Sequence, residues 1–336
     1  MSRPSVSVLL PVRDAASFLE EALGSLALQT YEDFEVLVQD DGSTDLSYAE
    51  ATGFADEDPR FRVETDEPRG IVAALNAAAA RARGDLLVRM DADDVCLPTR
   101  LERLVAAAAA HQDVGFFASR IRYVPRESLG EGLKHYEAWV NGVLTHEEVL
   151  RNRFVECPLP HPAWAVRRAV FDDLGGYHEG DFPEDYDFFL RAAAAGVRFH
   201  KLPEVLLQWR NDPGRMSRTD ERFGLDRFFA LKLRHLLPLL GRIGRPVAIA
   251  GAGPDGKRWA KALLAADVPV RFFLEVHPRR IGQTIHGAEV LAYDDIDRLR
   301  PCFVLGAVGQ KGGRDEVRRL LDQAGFTEGD DYLCVQ

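Results

Sequence analysis

The residues of this 336-residue chain that are best suited to chemistry form two short acidic clusters. Asp40 and Asp41 follow the apolar run FEVLVQ, and Asp91 and Asp93 follow the run LLVRM. Carboxylates can accept hydrogen bonds from a nucleotide base and its ribose, and two that lie close together can bind one hard cation. Either cluster alone equally suits a solvated turn. Only their combination points to a function.

A third acidic pair, Glu184-Asp185, follows Pro183 at the start of a helical pattern. A carboxylate in a binding site can act as a general base and remove a proton from a hydroxyl group. The positive end of the helix dipole also favours acidic residues in a first turn. From the residues alone, both interpretations stay open.

Alternating apolar runs and helical patterns must position these carboxylates. The predicted strands are VSVLLP, FEVLVQ, RFRVET and DLLVRM, and predicted helices cover 15–28 and 70–83. This alternation predicts an α/β fold with a mostly parallel sheet. Open α/β sheets bind ligands at the carboxyl ends of their strands, so both aspartate clusters should lie at one edge.

Between Arg126 and Pro162 the pattern is less regular, and we predict helices over 136–143 and 145–151 with no clear strand. Further along we predict a helix over 185–195, a polar loop over 209–217 and a helix over 220–237 that Pro238 ends. Residues 126–158, with Tyr136, Trp139 and His146, are the expected acceptor wall. The run GRIGRP indicates a linker, so we predict a catalytic domain over 1–240 and a Rossmann-like α/β domain over 241–336.

The predicted second domain begins with a glycine-rich turn. Its run GAGPDG at 251–256 fits the pattern G-x-G-x-x-G, and Glu275 lies where a dinucleotide fingerprint has its ribose-binding acid. Pro254 removes one backbone N–H that a phosphate could use. The domain resembles small Rossmann-like domains at the front of some bacterial sugar acyltransferases. Three interpretations of this domain stay open: it is a structural appendage, it is a nucleotide-binding or docking module, or it makes the chain an NAD-dependent oxidoreductase.

Composition excludes several classes of protein. The net charge of -11 gives no basic field for nucleic acid, so we expect no such partner. No run reaches the roughly 18 to 20 apolar residues that a membrane-spanning helix needs. The 4 cysteines are scattered, as is typical of buried thiols in a reducing compartment. These features predict a cytoplasmic protein.

Taken together and in order, the motifs resemble the family 2 inverting glycosyltransferases, which have the GT-A fold. The resemblance continues through HPAWAVRRAVFDDLGG, PEDYDFF and WRNDPGRMSR, over about the first 220 residues. It implies transfer of a sugar from a nucleoside diphosphate sugar, with a UDP-sugar favoured, to a glycan or lipid-linked hydroxyl in bacterial surface polysaccharide synthesis. A lipid-linked acceptor would bring the protein to the inner face of a membrane as a peripheral enzyme.

The resemblance also implies roles for single residues. For nucleotide binding it indicates Pro11, Arg13, Asp40, Asp41, Arg69 and Asp91. Asp91 and Asp93 would hold Mg2+ or Mn2+, Asp185 would be the general base, and Glu184 would orient the acceptor. Contacts to the donor or acceptor are expected from His161, Arg210, Asp212, Arg215 and Ser217. Asp212 stands where the family commonly has a histidine, so its role stays open.

Overall fold

The computed structural model describes residues 4–336, with the side chain of Ser217 outside the described part. The chain forms two compact units. The first comprises the residues up to Val149 together with Pro158–Gly224, and the second comprises Leu150–Cys157 and Leu225–Gln336. The second unit therefore begins before the linker that the sequence suggests at 241–246.

The first unit is built on an eight-stranded sheet with the strand order β3-β2-β1-β4-β7-β6-β8-β5. Its strands are β1 Val6–Val12, β2 Phe34–Asp40, β3 Phe61–Thr65, β4 Leu86–Arg89, β5 Val95–Cys96, β6 Phe116–Val124, β7 Ala165–Arg167 and β8 Phe199–Arg210. Four pairs are parallel, β1 with β2 and β4, β2 with β3, and β6 with β8. The predicted α/β fold with a mostly parallel sheet is confirmed.

The longer helices of the first unit bury an apolar stripe against this sheet. The helices of the unit are α1 Ala16–Ala27, α2 Ser47–Glu57, α3 Ile71–Arg81, α4 Arg100–Ala110, α5 Glu131–Gly142, α6 His146–Asn152, α7 Arg168–Asp173, α8 Glu184–Ala194 and α9 Met216–Thr219. In α1, for example, Leu19, Leu23 and Leu26 are buried in the same core as Val8 and Leu10 of β1. Burial of each such side chain contributes about 1.5–3 kcal/mol.

Strand register brings the acidic clusters to one edge of the sheet. Val12 at the end of β1 pairs with Asp40 at the end of β2. On the other side of β1, Leu9 pairs with Arg89, which is the last residue of β4. Asp41 directly follows β2, and Asp91 follows β4 after one residue, Met90, so both aspartates lie at neighbouring carboxyl ends.

The second unit contains a six-stranded sheet with the order β11-β12-β10-β9-β13-β14, in which only the β11–β12 pair is antiparallel among the described residues. Its strands are β9 Val247–Ala250, β10 Val270–Leu274, β11 Thr284–Ile285, β12 Ala288–Leu291, β13 Phe303–Gly306 and β14 Tyr332–Cys334. Its helices are α10 Leu225–Ile243, α11 Pro254–Ala265 and α12 Gly313–Gln323. The predicted strand, glycine turn and helix at its start are present.

Two predictions about single elements are wrong. Helix α10 continues through Pro238 to Ile243, although the sequence analysis ended it at that proline. Its apolar face reaches beyond the proline and buries both Leu236 and Leu240, which offsets the hydrogen bond that proline cannot donate. The polar loop at 209–217 is also shorter than predicted, because Trp209 and Arg210 end strand β8 and Met216 begins α9.

Two general features agree with the sequence. Cys96, Cys157, Cys302 and Cys334 are all buried free thiols. Within residues 4–336, no helix combines the length and the apolar character that crossing a membrane would require.

Candidate active site

A cavity of about 640 Å³ lies at the edge of the first unit's sheet where β1, β2 and β4 end. Of the residues predicted from sequence, its wall includes Pro11, Arg13, Asp41, Asp91, Asp93, His161, Glu184, Asp185, Asp212 and Arg215. The wall does not include Asp40, Arg69 or Arg210. The side chain of the remaining candidate, Ser217, lies outside the described residues. One cavity therefore brings all three acidic groups together.

At one end of the cavity, Asp41 organises the entrance to helix α3. Its carboxylate accepts hydrogen bonds from the backbone N–H groups of Arg69, at 2.7 Å, and Gly70, at 2.9 Å. The guanidinium of Arg13 lies 3.2 Å from the same carboxylate. The side chain of Arg69 is exposed, so this residue contributes to the site through its backbone.

Asp40 supports this end of the cavity from behind. Its side chain is buried, and Oδ2 accepts hydrogen bonds from the Thr65 hydroxyl at 2.7 Å and the Ser43 N–H at 3.2 Å. The other oxygen, Oδ1, is buried and has no hydrogen-bond partner among the described residues. Asp40 thus stiffens the turn that presents Asp41.

The centre of the cavity contains a possible metal site formed by three carboxylates. Asp91, Asp93 and Asp94 each offer one oxygen, and these oxygens all lie within 4.8 Å of one another. Oδ2 of the fully buried Asp94 has no hydrogen-bond partner within the part of the chain that the structure describes. Carboxylate oxygens are the ligands that Mg2+ and Mn2+ favour, so the donor set fits such an ion.

Two arginines neutralise part of this acidic charge. Nη2 of Arg89 lies 2.5 Å from Oδ1 of Asp91, and Nη2 of Arg215 lies 2.8 Å from Oδ2 of the same residue. Although burial acts in the opposite direction, these guanidinium groups lower the pKa of Asp91. Burial raises the pKa of Asp93 despite the charge of Arg215. Arg215 therefore already occupies part of the surroundings that a cation would need.

Arg210 supports the acidic turn instead of facing the cavity. Its backbone N–H donates to Oδ1 of Asp94 at 2.9 Å, and its Nε donates to the carbonyl of Asp93 at 2.8 Å. The guanidinium also lies over the ring of Phe18, 4.7 Å from its centroid. Arg210 thereby connects the end of β8 to the turn that contains Asp93 and Asp94.

Opposite the acidic turn, helix α8 begins with Glu184 and Asp185. Burial, with the charge of Asp185 adding to it, raises the pKa of Glu184 to about 8. Burial also raises the pKa of Asp185 to about 6, although the N–H of Tyr186 donates to its Oδ1 at 2.7 Å. At neutral pH Asp185 is largely ionised while Glu184 is largely protonated. The pair can therefore provide one base and one hydrogen-bond donor.

His161 contributes a neutral ring to the wall. Its Nε2 lies 2.8 Å from the hydroxyl of Tyr177, and its ring lies 4.6 Å from that of Trp164. Burial and the nearby charge of Arg89 place the pKa of His161 well below its usual range. This residue is thus held in position and carries no charge at neutral pH.

The segment after β8 closes one side of the cavity. Oδ1 of Asp212 accepts a hydrogen bond from the N–H of Gly214 at 2.7 Å and so stabilises a tight turn. Nη1 of Arg215 donates to the carbonyl of Arg210 at 2.8 Å. Further along, Arg222 is paired with Asp220 at 2.7 Å.

The sequence analysis did not name the cavity residues Arg89, Arg222 and Phe223, and it left Asp94 out of the metal pair. Arg89 had a usable signal, because a lone arginine in the apolar run LLVRM must find a buried partner. Arg222 and Phe223 had none, since only the path of the chain after α9 brings them to the site.

The expected acceptor wall around α5 packs differently. Tyr136 and Trp139 lie against the core that contains Tyr123, and the ring of His146 stacks on Phe199 at 5.8 Å. None of the three lies on the cavity wall. Packing against the core therefore explains their spacing on helices.

Comparison with known proteins identifies one family over most of the first unit. The family model described as glycosyl transferase family 2 matches residues 7–175, which is half of the chain. An uncharacterised glycosyltransferase of Haemophilus influenzae is 29% identical over 68% of this chain and 85% of its own length. The amylovoran biosynthesis glycosyltransferase AmsE of Erwinia amylovora is 28% identical over 61% of this chain and 75% of its own length. The O-antigen biosynthesis glycosyltransferase WbnJ of Escherichia coli is 27% identical over 61% of this chain and 79% of its own length.

Solved structures agree on the fold. S. aureus TarS 1-349 in complex with UDP-GlcNAc matches with a TM-score of 0.57 and 19% identity, covering 70% of this chain and 66% of TarS 1-349. The mannosyltransferase PcManGT from Pyrobaculum calidifontis, in complex with GDP-Man and Mn2+, matches with a TM-score of 0.50 and 22% identity. The match covers 79% of this chain and 70% of the PcManGT chain. Both are GT-A glycosyltransferases. This chain, which shares their fold and matches the family model over half its length, is a glycosyltransferase that belongs to glycosyl transferase family 2.

Proposed function

We propose that this chain is a metal-dependent inverting glycosyltransferase that transfers a sugar from a nucleoside diphosphate sugar to an acceptor hydroxyl. One observation supports this most strongly. The wall of a single cavity includes Asp41, the Asp91 and Asp93 carboxylates of the acidic cluster, and the Glu184–Asp185 pair. A displacement at an anomeric carbon needs these three functions: a nucleotide site, charge stabilisation at the leaving group, and a base.

In this proposal, Arg13 and Asp41 bind the nucleoside and diphosphate at the α3 end of the cavity, with Pro11 beside them. Asp91 and Asp93 would hold Mg2+ or Mn2+, and Asp94 would complete the carboxylate set from behind. Such an ion, when bound, neutralises charge on the departing nucleoside diphosphate. Arg215 and Arg89 already lie on the same carboxylates and supply further positive charge beside the leaving group.

We assign the general base to Asp185 and acceptor orientation to Glu184. The two carboxyl groups have unlike protonation, since their raised pKa values of about 6 and about 8 lie on either side of neutrality. An ionised Asp185 can take the proton from an acceptor hydroxyl as the new glycosidic bond forms. A protonated Glu184 can donate a hydrogen bond to the acceptor or to the transferred sugar.

The donor and acceptor are proposed at the level of their chemical class. A UDP-sugar is our first candidate, in line with the ligand of TarS, and a GDP-sugar is the second, in line with that of PcManGT. A glycan or lipid-linked acceptor in surface polysaccharide synthesis is suggested by the names of AmsE and WbnJ. The cytoplasmic location, with contact at the inner face of a membrane for a lipid-linked acceptor, stays a prediction.

The proposal can be tested by comparing Asp185→Asn with the wild-type chain. The test measures nucleoside diphosphate release from a panel of UDP- and GDP-sugars with Mn2+, and donor affinity by calorimetry. We expect Asp185→Asn to lower turnover by about 10²- to 10⁴-fold, the usual contribution of a general base, with donor affinity nearly unchanged. Turnover within twofold of the wild type would remove Asp185 from the role.

A further inference from the structure

The second unit contains a cavity of about 530 Å³ that the transfer reaction does not use. Its sheet reverses direction between β9 and β13, because the chain runs from β9 to β10 and β12 on one side and then crosses to β13 on the other. Ala250 at the end of β9 pairs with both Leu274 and Gly306, so three strands end at one level. Ligands of open α/β sheets bind in crevices at such reversals.

Glycines bring the walls of this cavity close together. A side chain on Gly251, whose φ is +113°, would lie 2.9 Å from the carbonyl of Ala307. A side chain on Gly256 would lie only 1.8 Å from the carbonyl of Gly251, so α11 packs directly on the first turn. Backbone atoms thereby form the floor of the cavity between the starts of α11 and α12. Backbone N–H groups at helix starts attract anions.

The predicted ribose-binding acid is already saturated. Oε1 of Glu275 accepts hydrogen bonds from the N–H groups of Val276, at 2.9 Å, and His277, at 3.0 Å. Its Oε2 accepts from the Ala252 N–H at 3.3 Å and from Arg280 Nη1 at 2.8 Å. These four donors use all the acceptor positions of a carboxylate. Glu275 therefore holds the turn together and cannot also bind a ribose diol, which argues against a dinucleotide such as NAD.

Two basic side chains on the wall are suited to contact a phosphate group. Arg280 extends over the glycine turn, with Nη1 3.8 Å from the position that a side chain on Gly253 would take. Lys311 lines the opposite side of the cavity. Of the three wall carboxylates, Glu275 is neutralised by Arg280, and Glu316 is paired with Arg319 at 2.5 Å. Only the Asp255 carboxylate has no ion-pair partner within residues 4–336, and it can accept hydrogen bonds from ligand hydroxyls.

The rim offers an apolar surface beside these polar groups. Val276 is 63% exposed and lies on the cavity wall, and Val308 lines the other side. A flat apolar group could cover both. Mononucleotides combine a phosphate, hydroxyl groups and a flat base, and the cavity volume falls in the usual range for ligand sites of about 300–1,000 Å³.

From these observations we infer that the second unit binds a phosphorylated nucleoside of mononucleotide size. The phosphate lies at the glycine turn between Arg280 and Lys311, and the base lies over Val276. This site is separate from the proposed donor site, and its phosphate contacts are backbone N–H groups at the starts of α11 and α12 and the side chains of Arg280 and Lys311, so we expect binding without a metal. The phosphate could belong to a free nucleotide, to a nucleotide sugar or to inorganic phosphate, and the experiment separates these sources.

The test is calorimetric titration of the full-length chain in EDTA, which suppresses metal-dependent binding at the first unit. The probes are AMP, UDP, GDP, UDP-glucose, NAD and inorganic phosphate. Two variants change exposed cavity residues, Lys311→Glu and Val276→Asp. The matched control is Lys261→Glu, which makes the same charge change at an exposed lysine of α11 that is not on the cavity wall. Asp91→Ala removes a residue of the first unit's cluster.

We expect at least one of the four mononucleotide probes to bind with one site per chain in EDTA. Both cavity variants should weaken that binding by about tenfold or more, whereas Lys261→Glu and Asp91→Ala should leave it within twofold. Absence of binding by every mononucleotide probe would overturn the inference. So would tighter binding of NAD or inorganic phosphate than of any mononucleotide, or binding that is indifferent to both cavity variants. None of these results bears on transfer at the first unit, whose test uses turnover with Mn2+.

Discussion

At the residue scale, Asp41 and Asp91 both have partners that lie far from them in the sequence. The types and spacing of Asp91 and Asp93 indicated a cation site, and the family resemblance indicated Asp185 as a base. The sequence did not show that the Asp41 carboxylate accepts hydrogen bonds from the Arg69–Gly70 turn, or that Arg215 forms an ion pair with Asp91. Such contacts depend on side chains from distant parts of the chain, and local patterns do not report them.

The raised pKa of Asp185 leads to a prediction about pH. Because its folded-state pKa is about 6, above the ordinary value of 3.8, this group gains a proton as the pH falls below 6, where an ordinary aspartate would stay ionised. A base must be ionised to act, so turnover at saturating donor and metal should approach a tenfold fall per pH unit well below pH 6. A pH–rate profile checks this. Turnover that stays level down to pH 5 would contradict it.

Arg215 should compete with a cation for the acidic cluster. Its guanidinium lies 2.8 Å from Asp91 and 3.7 Å from Asp93, so removing it frees Asp93 and the Asp91 oxygen that Arg89 does not contact, and leaves the two carboxylates with stronger mutual repulsion. We predict that Arg215→Ala binds Mn2+ about tenfold more tightly in the absence of nucleotide, a change of about 1.4 kcal/mol. Electron paramagnetic resonance of free Mn2+ measures this directly. Arg222→Ala, which removes an arginine of the same cavity that pairs with Asp220 instead, is the matched control. Equal affinities in the wild type and Arg215→Ala would show that the contact does not oppose metal binding.

At the element scale, the sequence predicted the strands that are short apolar runs followed by a turn. It did not predict a strand in which charged residues and a proline interrupt the apolar pattern. β1, β2 and β4 are nearly continuous apolar runs, and the structure buries them on both faces. β8, with the sequence FHKLPEVLLQWR, contains charged residues and a proline, and its pairing with β6 shifts register. No regular period marks it, although it supplies Arg210 to the active-site turn.

The turn after β2 gives a stability prediction at this scale. Gly42 has a φ of +68°, and a side chain there would lie 2.7 Å from Cδ of Pro68. Gly42→Ala should therefore lower the free energy of unfolding by about 1–3 kcal/mol. Gly53→Ala is the matched change, because Gly53 lies inside α2 with nothing within 4 Å of the added carbon. Gly53→Ala should raise the free energy of unfolding by about 0.5–1 kcal/mol. Chemical denaturation compares the two, and similar effects in both variants would exclude the steric argument.

At the scale of the whole molecule, the sequence predicted two α/β parts but not how the chain is shared between them. Helix α10 and the segment Leu150–Cys157 group with the second unit, so neither part is a single continuous stretch. Local patterns could not show this, because a linker resembles any polar turn and grouping depends on long-range packing. The division into a catalytic domain that ends at residue 240 and a Rossmann-like domain that begins at residue 241 stays a prediction.

The central claim is that the Asp91–Asp93–Asp94 cluster and the Asp41 end of the cavity act as one metal-dependent donor site. The most direct measurement is calorimetric titration of the wild type, Asp91→Ala and the second-unit variant Lys311→Glu with UDP, GDP and TDP, with and without Mn2+. We predict that Mn2+ strengthens the binding of one diphosphate by at least about tenfold, that Asp91→Ala loses this gain, and that Lys311→Glu keeps it. Diphosphate binding that is the same with and without Mn2+, or a gain that survives in Asp91→Ala, would contradict the claim.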